Sequence, residues 1–139
     1  MKHCLLTICI FLISSGFKSG SGQLIVQLKG LKTGKGQLFI SLFSTEEGFP
    51  DQPVKALKTW SLPADPEIDL GHFPAGTYAL ALLHDLDGNR KMTYSFLGMP
   101  QDGYSSSPDG GAKWSKPVFS KAKFNIGPGT NRLTLKVHY

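Results

Sequence analysis

The chain reads as an all-β protein, a single antiparallel β-sandwich of about seven strands, immunoglobulin-like or prealbumin-like, with one long ordered loop. Three observations predict it. Short apolar runs alternate with period two. Turns rich in glycine and proline separate them. No stretch carries a convincing long helical pattern, and no repeat of 20 to 50 residues is present.

The elements follow in order. Residues 23–29 alternate, with Leu24, Val26 and Leu28 on one face, and residues 30–36 form a turn of Gly, Lys and Thr. Residues 37–43 put Leu38, Ile40 and Leu42 on one face and Phe39, Ser41 and Phe43 on the other, so the two runs read as a hairpin with a longer loop. Residues 54–62 fit either a short helical turn or an edge strand through Ala56, Leu57, Trp60 and Leu62. A proline break at 63–66 precedes a short strand at 67–70. Residues 77–84 are apolar on nearly both faces, as expected of a central strand. Residues 117–126 read as a strand around Val118, Phe119, Ala122 and Phe124, and Leu133, Leu135 and Val137 make the last one. Between them, residues 94–116 form a loop too long to be a plain connection. Its aromatic residues argue for order.

Residues 1–22 have the layout of a secretory signal: Lys2 and His3, then an apolar run from Cys4 to Phe17, then small residues before Gln23. The apolar run is short of the roughly 20 residues of a membrane span, and Ile8 before Cys9 disfavours a lipid-anchor site. The expected organisation is a signal peptide over 1–22, cleaved near Gly20 to Gln23, and one β-sandwich domain over 23–139, exported to the periplasm or the cell exterior and not transmembrane. Both cysteines, Cys4 and Cys9, fall in the signal, which removes disulfides, thiolate metal sites and cysteine nucleophiles from the domain. Losing Lys2 and Lys18 lowers the formal charge from +5 to +3. Lys29, Lys32 and Lys35 cluster, as do Lys113, Lys116, Lys121 and Lys123, but both clusters sit in or beside strand and turn segments, so they read as solvated faces and protected sheet edges, and nucleic acid is not an expected partner.

Chemistry concentrates where the central strand ends. Asp85, Asp87 and Asn89 place oxygens on alternate residues, a spacing that lets a turning loop aim three donors at one hard cation such as Ca2+. The competing reading is turn chemistry, with Asp and Asn bonding their own backbone. The pattern departs from an EF-hand loop, with Gly88 at the fourth position and Phe96 at the twelfth, while Arg90 and Lys91 add positive charge. Further ligands would have to come from Asp102, Asp109 or main-chain carbonyls. His84 invites an acid–base role, but Ser95 and Ser105 to Ser107 lie in no nucleophile motif, and a structural histidine at a strand end is the better reading. Tyr94, Phe96, Tyr104 and Trp114 are candidate ligand-binding residues for a sugar ring or an apolar group. They also read as anchors that pin the loop to the sandwich.

The ordered motifs Leu24 to Leu31, Lys35 to Leu38, Gly48 to Pro50, Phe73 to Ala79, His84 to Asn89, Phe96 to Tyr104 and Pro117 to Phe119 resemble an exported bacterial family, the domain of unknown function numbered 2141. The resemblance runs over essentially the whole of residues 23–139. It implies a prealbumin-like or carboxypeptidase-regulatory-like sandwich and export, and it implies no chemistry. Members often carry an Asp after Asn-Gly-Lys-Leu in the acidic loop, and here Thr93 stands in its place. The resulting expectation is an exported, non-enzymatic binding or accessory module of the cell envelope, meeting an envelope protein or a glycan through the 85–114 loop. A calcium-stabilised structural domain is the alternative, and a hydrolase has the least support.

Overall fold

A computed structural model of the protein describes residues 20–111, 113 and 115–139. Residues 1–19, most of the segment expected to be a signal, and Trp114 lie outside the described residues. Among the described residues eight strands form: β1 (Ser21–Lys29), β2 (Gln37–Phe43), β3 (Lys58–Pro63), β4 (Glu67–Pro74), β5 (Gly76–Asp85), β6 (Gly103–Ser106), β7 (Lys123–Ile126) and β8 (Gly129–Lys136). One sheet has the order β4-β1-β8. The other has the order β3-β2-β5-β6, with β7 also on β5.

Period-two alternation produces the core. Leu24, Val26 and Leu28 of β1, with Leu133 and Leu135 of β8, face Leu38, Ile40 and Leu42 of β2 and Leu80 and Leu82 of β5, all buried. Each such side chain contributes about 1.5–3 kcal/mol by leaving water. A second, smaller cluster forms on the outer face of the larger sheet. Phe43 is fully buried there, edge-on to Phe49 at 5.2 Å, and Phe49 meets Phe119 at 5.8 Å.

β5 is the centre of its sheet. β2 pairs with it from Ala79 to Asp85, while the other edge is shared by β7 at residues 76–79 and β6 at residues 81–84. Its outer face is buried at Ala79 and half-buried at Ala81 and Leu83. This is why the strand is apolar on nearly both faces.

The structure differs from the sequence reading in five places. β1 and β2 do not form the expected hairpin: β1 lies between β4 and β8 in one sheet and β2 between β3 and β5 in the other, so the 30–36 turn crosses from sheet to sheet. β1 and β8 pair in parallel, from Gly22 with Gly129 to Lys29 with Lys136, so the sandwich is antiparallel with one exception. Residues 54–62 resolve into a 3-10 turn, Pro53–Lys55, followed by β3. Residues 117–126 are a strand only from Lys123, because Phe119 and Ala122, three apart, both turn inward on one helical turn, α1 (Phe119–Ala122). Finally, β6 interrupts the long loop. Its serines hide it from apolar patterning, yet both are buried, and the Ser105 hydroxyl donates to the Lys136 carbonyl at 2.8 Å. Ser107, just beyond β6, accepts from the Leu80 N–H at 2.8 Å and donates to the Ala122 carbonyl. These hydroxyls hold the two sheets and α1 together.

Candidate functional site

Asp85 ends β5 and Asp102 immediately precedes β6, so strand pairing between β5 and β6 brings them together across sixteen residues of loop. Both are buried, at 2% and 1% exposure. With the exposed Asp87 they place three carboxylate oxygens within 4.8 Å of one another. Asp102 replaces Asn89 in the trio expected from spacing. Asn89 turns into the loop instead, accepting the Lys91 N–H at 3.0 Å and donating to the Thr93 hydroxyl at 2.7 Å.

Every one of the six carboxylate oxygens accepts a hydrogen bond from the loop. Asp85 takes the N–H groups of Gly88 at 2.9 Å and Arg90 at 2.8 Å. Asp102 takes those of Leu86 and Thr93, each at 2.9 Å. Asp87 takes the Asn89 N–H at 3.1 Å and the Thr93 hydroxyl at 2.8 Å. Arg90 adopts φ 63°, left-handed backbone that non-glycine residues seldom hold, and its N–H is the one bonded to Asp85. Thr93 therefore works as a donor at the place where the resembled family often has an acceptor.

The Thr93 hydroxyl, then the Asn89 N–H, hold the Asp87 carboxyl below its ordinary range. A depressed carboxylate adds stability above its unfolded value, about 3.9. That part is lost as pH falls through the lower folded value.

This arrangement is a loop organiser, since a hard cation would have to share oxygens that already serve six donors. The domain is expected to melt at the same temperature in calcium and in chelator. A rise of several degrees in calcium that disappears in Asp87→Ala would instead install a cation here, because a ligand at 100 times its dissociation constant adds about 2.7 kcal/mol.

His84 lies on the inner face of the same strand end, fully buried. One ring nitrogen, Nε2, is 2.7 Å from the Lys35 carbonyl, which only accepts, so Nε2 carries the proton. Nδ1 then accepts from the Tyr139 hydroxyl at 2.6 Å, and that hydroxyl accepts the Lys32 N–H at 3.0 Å. The histidine ties the 30–36 turn and residue 139 to β5. Both its nitrogens are committed to these partners, neither of which is a serine.

The outer face of the larger sheet carries a groove of about 1010 Å3. Its floor is the outward side of the strands, with Phe39 and Ser41 of β2, Leu83 of β5 and Tyr104 of β6. The wall is the 90–100 loop, with Tyr94 60% exposed on it. Arg90, Lys91 and Lys116 stand on the rim. Lys116 pairs with Asp51, linking the two connections that flank the groove, and that partner raises its pKa through the hydrogen bond first and the charge second.

Of the four aromatics singled out in the sequence, Tyr94 and Tyr104 line the groove. Tyr104 also lies against His138, rings 5.5 Å apart, so it serves as an anchor as well. Phe96 is 96% exposed and does not line the groove, and Trp114 lies outside the described residues. Sequence reasoning missed Phe39, Leu83 and the basic rim as groove residues. The outward alternation of β2 was the available signal for Phe39.

No curated protein and no solved structure matches the chain. Residues 26–134 match the family described as an uncharacterized protein conserved in bacteria (DUF2141), and the chain belongs to that family.

Proposed function

We propose that this protein is an exported, non-enzymatic binding module of the bacterial cell envelope whose groove takes an acidic oligosaccharide. The groove on the outer face of the larger sheet carries this reading. Its volume suits a bound ring system of a few residues. Aromatic side chains such as Tyr94 offer faces to the C–H side of a sugar ring, Ser41 and Ser61 lie along it, and Arg90, Lys91 and Lys116 suit carboxylate or phosphate substituents. The engaged His84 and the main-chain bonds of Ser105 and Ser107 support a role without a nucleophile–base pair. Export is supported by the order of residues 1–22. β1 begins at Ser21, paired with Pro74, which favours cleavage on the N-terminal side of that residue within the expected window. Among the described residues no helix is long and apolar enough to cross a membrane.

The test is an array of acidic and neutral oligosaccharides probed with the protein and with Tyr94→Ala. The expected result is retention on acidic members, weakened about tenfold in the variant, equivalent to about 1.4 kcal/mol. A blank array, or retention that Tyr94→Ala leaves unchanged, overturns the reading.

A further inference from the structure

The most exposed apolar side chains in the described part of the loop sit together on one tip. Residues 94–100 turn back on themselves, with Tyr94 bridged to Pro100. Phe96 is 96%, Leu97 71% and Met99 44% exposed, and none of the three lines the groove. Scattered surface leucines need no explanation, whereas adjacent large apolar groups on a projecting turn do. Main-chain bonds close the base of the turn. The Ser95 N–H donates to the Met99 carbonyl at 2.8 Å, Gly98 to the Ser95 carbonyl at 2.9 Å, and Gln101 to the Thr93 carbonyl at 2.8 Å. Ser95 Oγ takes the Met99 N–H at 3.2 Å. The base of the tip is thereby held internally, while the main-chain groups of Phe96 and Leu97 stay at headgroup level, where water and polar headgroups satisfy them, so that only side chains enter the apolar edge.

The charge carried by the segment around the tip has one sign. Residues 88–101 contain Arg90 and Lys91 and no carboxylate. Neither cation joins an ion pair among the described residues. The nearest acids, Asp85, Asp87 and Asp102, direct their oxygens to loop donors as described above. A convex apolar tip with a tyrosine at its base and cations behind it matches the boundary of an anionic bilayer. There the apolar groups enter the acyl edge, the tyrosine sits at headgroup level and the cations meet phosphate. We infer that the 94–100 tip docks this protein on a lipid surface carrying anionic headgroups.

This inference goes beyond the groove reading and is tested apart from it. The protein is sedimented with vesicles of phosphatidylcholine alone and of phosphatidylcholine mixed with phosphatidylglycerol. Phe96→Ser combined with Leu97→Ser, and Arg90→Gln combined with Lys91→Gln, are run beside it. All carry the same N-terminal segment, so differences between them read the tip. The tip substitutions are at exposed positions and leave the melting temperature unchanged, which keeps folding out of the comparison. The expected result is binding to the mixed vesicles that falls about tenfold or more in the tip variant. It also weakens with added salt and in the basic-residue variant. Failure to bind the mixed vesicles, or binding that the tip substitutions leave unchanged, overturns the inference, as does a concentration-dependent dimer lost in the tip variant without lipid binding. Oligosaccharide retention by the tip variant remains intact, so the two readings fail separately.

Discussion

Asp102→Ala is expected to destabilise the domain by about 3 kcal/mol and to lower its melting temperature by roughly 10 °C. Two effects compete. Removing the carboxylate deprives the Leu86 and Thr93 N–H groups of a charged acceptor, and such bonds contribute about 1.5–3 kcal/mol each. Removing it also relieves repulsion from Asp85 and Asp87, whose oxygens lie within 4.8 Å. Against the exposed Asp87 that repulsion is close to the value in water, about 1 kcal/mol for a pair at 4 Å, and against the buried Asp85 it is offset by the four main-chain N–H groups bonded to the two carboxylates. The lost acceptors therefore win. Asp102→Asn keeps one acceptor but turns an NH2 toward the other N–H, so it falls between the wild type and alanine. Thermal melting gives the size of the effect. Hydrogen exchange locates it, with the Leu86 and Thr93 amides losing protection first. A melting temperature within about 2 °C of wild type would mean that the loop is held by other contacts.

The same residues show how far the sequence could be read. Period-two patterning located β1, β2, β4, β5 and β8, because each has one face in the core. It failed where burial is polar: β6 is Gly103, Tyr104, Ser105 and Ser106, and hydroxyls bonded to main chain carry no apolar signal. It also failed at α1, where four residues are too few for a period of 3.6 to emerge. Spacing brought Asp85 and Asp87 together correctly. Asp102 joins them only through the β5–β6 pairing, a contact between residues distant in sequence. The groove was only partly legible for the same reason, since its floor is assembled from alternate residues of separate strands and its rim from three connections.

His84→Ala is expected to cost about 3–4 kcal/mol, the largest effect of any single change near the site. The ring is fully buried, so its removal leaves a cavity, and it strands the Lys35 carbonyl and the Tyr139 hydroxyl. The space cannot be refilled easily from the turn. Gly36 stands there at φ 66°, so close that a Cβ on it would lie 2.2 Å from the Asp85 carbonyl oxygen. Tyr139→Phe removes only the hydroxyl and is expected to cost about 1 kcal/mol. Because the two side chains share one hydrogen bond, the double variant should lose about 1 kcal/mol less than the sum of the singles. Denaturant midpoints measure all three, and an unchanged slope would show that the folded state stays compact. Burial raises the Tyr139 pKa, partly offset by the Lys32 N–H. A raised tyrosine contributes stability that is complete below its unfolded value, about 10, and is lost as pH rises through the higher folded value. The wild type should therefore lose stability in strong alkali that Tyr139→Phe does not lose. Strict additivity of the two substitutions would separate the histidine from the tyrosine. A His84→Ala protein as stable as wild type would remove the structural role and reopen His84 as a functional residue.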